Sequence, residues 1–497
     1  MFMKKIMRTS YLLILLLTFI FQGCDLLEEN PEDRFVTGNF YSGATDAVAA
    51  VNGIYNTLGI EYERLFNLKT DLITDDMKNG IGMASAALQQ MEYLRLTSET
   101  GQTSWSGFYY AIARANTAIN AIPVVPMDET LKKRLIGEAK FLRALYYFHL
   151  VRLYGDVPLV TKIESLADAY APRSPKAEVY KLIIEDLTEA ASSLPEKYNT
   201  VDIGRATKGA AKILLGKVHL TMHSWQLAAD VLGDVVNNAG VYGYALHENF
   251  RANFQVATEN GSEMVFSVQY SEPPGNGNNL MCAIAPNYSI PGGKGVPGLI
   301  DPWESDIPTI DLYTTFDDAD ERKAATFNRV YISPTNQQTY TSAIPLFYKY
   351  WEEGEKNCNN SDINFPILRY SDAILMYAEA LNETSQTPLA ETQVNRIRER
   401  AFNDQVHSYN GLSQSDLREK IKLERRLEFA HEGQRYFDLQ RWGDFVTVMK
   451  AHGQKESQLA ESIKIEIADN VKDFHALFPI PQHEIDLNPK LTQNTGY

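Results

Sequence analysis

Cysteine is scarce. The 497-residue chain holds 3, too few for a disulfide-built mini-scaffold or a multi-cysteine metal centre. Cations are outnumbered, with Lys+Arg 47 against Asp+Glu 63 and a formal net charge of -16. Such a surface repels phosphate backbones, so nucleic acid is not an expected partner. Long apolar runs are missing too. The one candidate, Tyr11 to Phe21, follows Lys4, Lys5 and Arg8; it is too short to span a bilayer and has the layout of a secretion signal. Enzyme signatures are also absent: there is no G-x-S-x-G elbow, no G-x-x-x-x-G-K-[ST] loop and no H-E-x-x-H helix. No catalytic residue, metal or cofactor is therefore expected. A carboxylate pair for glycoside hydrolysis arises by chance among 63 acids and carries no weight.

What is present begins with globular composition, 44% hydrophobic and 22% charged, which suits a large buried core. Gly23 directly precedes Cys24, so residues 1–23 read as a lipoprotein signal peptide and Cys24 as the lipidated residue. Residues 24–36, with Asp25, Glu28, Glu29, Glu32 and Asp33 around Pro31, read as an extended acidic tether. If Cys24 carries lipid, Cys282 and Cys358 remain. A disulfide between them is compatible with an oxidising compartment, but spacing does not decide it.

Residues 37–240 read as helical. The run Asp128 to Tyr154 places Leu131, Leu135, Ala139, Leu142, Leu145, Leu150 and Leu153 on one apolar stripe. Pro158 is expected to stop it. Ser174-Pro175 reads as the start of the next helix, with Ser174 as cap. Lys208 to His223 and Gln226 to Asn238 read as a hairpin whose small residues, Ala210, Ala211, Gly216, Ala228 and Ala229, allow close approach. The fold class expected is mostly α: tetratricopeptide-like helical hairpins near a ~34-residue period, with a loop-rich insert containing short strands.

That insert, residues 241–366, is rich in Gly, Pro and Asn, and a stretch of alternating residues, Met264, Phe266, Val268 and Tyr270, reads as a strand. Loops this long inside a compact protein usually carry function. Aromatic planes stack on sugar faces while amides pair with hydroxyls. Tyr270, Asn279, Asn287, Tyr288 and Trp303 are accordingly the candidate ligand-binding residues. Trp105, leading into Phe108 and Tyr109, reads as core. His219 and His223 lie four apart, yet no third ligand accompanies them, so they read as packing or surface residues. Asp317, Asp318, Asp320 and Glu321 lack the glycine and closing glutamate of a calcium loop and read as a solvated helix start before Arg322.

Residues 367–497 resume the helical pattern. Glu424 to Gly443 reads ERRLEFAHEGQRYFDLQRWG. As one continuous helix it would ladder Glu432, Arg435, Asp438 and Arg441 into neighbouring opposite charges. This run, with RYSDAILMYAEALNE at Arg369 to Glu383, NRIRERA at Asn395 to Ala401 and LFPIPQHEIDLNPKLTQNTGY at Leu477 to Tyr497, resembles the C-terminal signature of SusD/RagB outer-membrane lipoproteins. Thr495 stands where a proline is common in that ending. The resemblance implies a cell-surface, lipid-anchored protein of the outer membrane. It would bind an oligosaccharide or polysaccharide nutrient without catalysis and deliver it to a SusC-like TonB-dependent transporter. The alternatives are a helical-repeat adaptor for a protein partner and a binder of peptide nutrient, each lacking a glycan site.

Overall fold

The computed structural model describes residues 41–63, 65–80, 82, 85–99, 105–163, 165–271, 277–459 and 466–497. The signal peptide, Cys24 and the acidic tether expected from sequence lie outside these. Among the described residues no helix is long and apolar enough to cross a membrane.

The scaffold is a succession of helices: α1 (Ala44–Tyr62), α2 (Trp105–Ala121), α3 (Glu129–Tyr154), α4 (Lys176–Ser193), α5 (Lys208–Thr221), α6 (Trp225–Asn237), α7 (Tyr370–Glu383), α8 (Thr387–Phe402), α9 (Gln414–Glu428), α10 (Arg435–Trp442) and α11 (Phe445–Leu459). From α1 to α8 each packs on the next, and α9 packs on α7. The tetratricopeptide-like hairpin order read from sequence is the one observed. α6 and α7 touch although the insert separates them in sequence. The helical series is therefore continuous in space, and the insert is an excursion from it.

Helix α3 is enclosed more fully than its apolar stripe implies. Asp128 caps it by accepting the Leu131 N–H at 2.8 Å, and every residue from Phe141 to Tyr154 is buried. Its polar members are satisfied internally. Arg143 grips Asp186 of α4 with two bonds of 2.7 Å, a bidentate geometry that holds a buried pair in place. Gly155, at φ 74, ends the helix before Pro158 is reached. The cap of α4 also departs from expectation. Asp156, not Ser174, accepts the first helical amide, from Lys176 at 2.8 Å, because Ser174 is drawn into a bridge with Val157.

Three short antiparallel pairs form the insert and its roots: β1 (Met77–Asn79) with β3 (Asp306–Pro308), β2 (Met264–Val268) with β6 (Phe365–Arg369), and β4 (Phe327–Ile332) with β5 (Thr339–Phe347). β2 lies where the alternation places a strand, but it is covered on both faces: Val265 and Ser267 are buried along with Phe266 and Val268.

The continuous helix expected over Glu424–Gly443 is broken. α9 stops at Glu428 and α10 starts at Arg435, with His431 (φ 62) and Gly433 (φ 67) turning the chain between them. The charge ladder dissolves accordingly. Arg435 pairs with Asp75 at 2.9 Å, Glu432 with Lys349 and Arg369, and only Asp438 and Arg441 pair as neighbours, at 2.9 Å.

Glu424, Glu428 and Glu432 instead receive cations from the insert and its edge. Arg322 reaches Glu424 (2.7 Å) and Glu428 (3.1 Å), and Arg369 reaches Glu263, Glu428 and Glu432. Arg398 and Arg400 of α8 complete the set. Burial alone would raise the Glu428 carboxyl, but the guanidiniums of Arg400, Arg369 and Arg322 hold it well below the usual range. The acidic run is a helix start, as read from sequence, with Asp317, Asp318 and Glu321 exposed and Asp318 paired with Lys323; Asp320, its cap, is not solvated but is buried with Arg322 in this network.

Candidate functional site

The candidate ligand residues sort into two groups. Asn287, Tyr288 and Trp303 meet around one buried carboxylate. Glu304, 4% exposed and at φ 49, turns inward and accepts the amide N–H groups of Asn287 (2.5 Å) and Ser289 (2.9 Å) and the Ser289 hydroxyl (2.8 Å). Tyr288, between those two clamped residues, is left 47% exposed. Trp303, next to Glu304, is half-buried, and its indole N–H donates to Asp301 Oδ2 at 3.1 Å. Both rings therefore sit on one backbone knot whose turns, at Asp301 (φ 53) and Glu304, fall in the left-handed region. Asn287 is committed to the knot as well: its amide donates to Pro302 O at 2.8 Å.

A disulfide supports this platform. Cys282 and Cys358 are bonded, with Cα atoms 4.7 Å apart, which settles the pairing that spacing left open. Trp303 N–H donates to Cys282 O at 2.9 Å, Ser305 N–H to Ala283 O at 2.8 Å, and Ile300 N–H to Lys356 O at 2.9 Å. The 300–305 segment is thus tied to both halves of the crosslink. On its other side runs the chain after β1. Gly80 N–H donates to Ser305 O at 2.7 Å, and a Cβ at Gly82 would lie 1.4 Å from Trp303 O. Only glycine permits that approach.

Tyr270 and Asn279 belong elsewhere, at the end of α1. Tyr270 is 8% exposed and donates its hydroxyl to Gly59 O at 3.0 Å, and Asn279 reaches Glu63 Oε1 at 3.4 Å. A cavity of about 420 Å³ opens beside them, lined by Tyr55, Glu63, Gln269 and Tyr270 among others. Burial raises the Glu63 carboxyl. Sequence reasoning passed over Asp301, Glu304 and Asn359, whose amide also meets Asp301 Oδ2, at 3.3 Å. Their one sequence signal is a pair of acids flanking Pro302-Trp303.

The remaining candidates for chemistry are structural. His223 stacks on Trp225 (4.8 Å, 13°) and bonds Arg441 O, while His219 is buried, which lowers its pKa. Trp105 is core, 3% exposed. No cluster among the described residues has the donors to hold a metal ion.

A spatially continuous helical-hairpin scaffold, carrying a crosslinked loop platform with aromatic side chains at its surface, defines a binding protein built on a repeat body. Residues 318–497 match the SusD family, and residues 27–220 match a family described as starch-binding and associating with the outer membrane. The SusD-like protein P2 of Formosa agariphila is 30% identical, over 86% of this chain and 89% of that one. On these grounds the chain belongs to the SusD family. Among solved structures, a laminarin-binding SusD-like protein superposes with a TM-score of 0.76 at 27% identity, covering 92% of this chain and 100% of that chain. Surface glycan-binding protein A of Bacteroides thetaiotaomicron, in complex with laminarihexaose, shares the fold at a TM-score of 0.74 and 20% identity, covering 90% of this chain and 99% of that chain.

Proposed function

We propose that this protein binds an oligosaccharide or polysaccharide at the outer membrane, without catalysis, and passes it to a SusC-like TonB-dependent transporter. The observation that carries the reading is the Glu304 knot, which holds Tyr288 exposed and Trp303 half-buried on a pre-set backbone. Rings fixed in this way spend little conformational entropy on stacking against sugar C–H faces. The starch-binding family matched by residues 27–220 and the laminarin-binding relative support a glycan as the ligand class.

In this reading residues 1–23 direct export, Cys24 carries the lipid, and residues 24–36 hold the body off the membrane with its loop face to the exterior. The insert, 241–366, bears the ligand between the helical parts 37–240 and 367–497. Tyr288 and Trp303 contact the ligand and Asn287 orients Tyr288. Tyr270 borders the neighbouring cavity, where a longer chain would extend, and Asn279 bonds the Glu63 carboxylate that lines it. The test is calorimetric titration of residues 25–497 against plant, host and microbial polysaccharides. Binding lost on Trp303→Ala establishes the glycan site. Silence across the whole panel, with the fold intact, favours a peptide nutrient or a helical adaptor instead.

A further inference from the structure

Among the described residues every buried lysine and arginine faces at least one carboxylate, with one exception. Lys217, Arg425 and Arg441 face Asp372, Asp438 and Glu379, three cations against three carboxylates. The Arg369 network likewise sets Arg322, Lys349, Arg369, Arg398 and Arg400 against Asp320, Glu263, Glu424, Glu428 and Glu432. Arg152 belongs to neither. It is 6% exposed, and among the described residues no carboxylate lies within ion-pair distance of it.

Its guanidinium is clamped between two rings, 3.9 Å from the Phe148 centroid and 3.7 Å from that of Phe437. Nε donates to Phe148 O at 3.1 Å and Nη2 to His149 Nδ1 at 2.9 Å. Receiving that bond makes Nδ1 the bare nitrogen, so His149 is neutral with its Nε2 proton toward the Tyr62 hydroxyl. Neither partner supplies negative charge, and Nη1 has no acceptor among the described residues.

Beside it is a void of about 20 Å³, bordered by Arg152, His149, Lys217, Glu432 and Gln434 among others. That volume admits a single water or small ion. Lys217 spends two N–H groups, on Asp372 (2.9 Å) and Gln434 (2.7 Å), leaving a third. Glu432 is already engaged by Lys349 and Arg369. The space is thus edged by two cations with unspent donors and by one carboxylate that is already spoken for. An occupant that only accepts, and that carries the missing negative charge, satisfies this better than water, which must also donate.

We propose that this void is a buried halide site, in which one chloride ion is held by Arg152 and Lys217. It joins the end of α3 to α5 and the turn before α10, beside the one buried arginine or lysine, among the described residues, that no carboxylate meets. Burial lowers the Arg152 pKa to about 10, and a bound anion would reverse that direction.

The test is to crystallise the purified protein in sodium bromide and collect at the bromine edge. An anomalous peak in hydrogen-bond contact with Arg152 Nη1 is expected. In parallel, Tm is followed in sodium chloride and in sodium gluconate at equal ionic strength. The expected shift is about 2 °C for each tenfold rise in chloride above its dissociation constant, and none for gluconate. Arg152→Met is expected to abolish the chloride dependence. Should that variant fail to fold, the two measurements on the parent protein still decide. Ordered water without anomalous signal, together with identical melting in both salts, overturns the proposal.

Discussion

Arg369 Nη1 lies 2.9 Å from Glu428 Oε1 with both side chains no more than 1% exposed, joining the last strand of the insert to helix α9. The same arginine holds Glu263 and Glu432. Removing it leaves three carboxylates short of a cation in a water-free setting. Arg369→Met is expected to cost about 3–5 kcal/mol, read from denaturant midpoints. Arg418→Ala, which breaks the half-exposed pair with Glu383, should cost under about 1 kcal/mol. Equal losses in the two variants would contradict the assignment of the Arg369 network as a buried one.

The Cys282–Cys358 bond closes a loop with a sequence separation of 76. Replacing both cysteines by serine should lower stability by about 2–4 kcal/mol. Because Trp303 hangs from the Cys282 carbonyl, ligand affinity should fall as well, under conditions where far-UV circular dichroism shows the helices intact. Undiminished affinity would mean that the Glu304 knot holds the platform unaided.

Trp303→Ala and Tyr288→Ala should each weaken glycan binding by about 10- to 100-fold, the loss typical of truncating an aromatic anchor, with Tm shifted little for the exposed Tyr288. Glu304→Gln should also weaken binding, since the clamp on the Asn287 and Ser289 amides loses its charge. Calorimetry on the three variants separates contact from positioning.

Glu92 supplies a pH dependence. Burial raises its carboxyl to about 7, with Glu456 pushing the same way and the Asn79 amide and Lys78 opposing. Between the ordinary value of 4.5 and 7 the folded protein keeps a proton that the unfolded chain has released. The contribution of Glu92 to stability is therefore lost as pH rises through that window. Glu92→Gln, neutral throughout, should exceed the parent by about 3 kcal/mol at pH 8 and match it near pH 4 in urea melts.

The helical body was legible because periodicity is a local property: the run to Tyr154 and the α5–α6 hairpin needed no knowledge of their partners. The break after Glu428 was not. ERRLEFAHEGQRYFDLQRW carries helix-compatible charge spacing throughout, which masks its one local breaker, Gly433 (φ 67); the pairing of Arg435 with Asp75, 360 positions away, could not be read from it. The candidate site was readable only as a class of residue. Aromatic and amide content marked the insert, yet nothing local separates Tyr288, lifted outward by Glu304, from Tyr270, whose hydroxyl is spent on Gly59. The burial of Asp320 escaped for the same reason. Its partner Arg322 is two positions away, but the carboxylates that draw Arg322 inward come from α9.

The excursion between β2 and β6 looks like a removable cassette, since its ends are hydrogen-bonded neighbours. The charges that it lends to α9 make it something else. A graft that exchanged residues 264–369 alone for a homologue's loops would leave Glu424, Glu428 and Glu432 facing an interior without Arg322, Lys349 or Arg369. Recombination within such proteins should therefore respect a linkage between the loops of the insert and helix α9, which supplies none of the proposed ligand contacts. Chimeras that move the two together should fold, and those that split them should be recovered as aggregates.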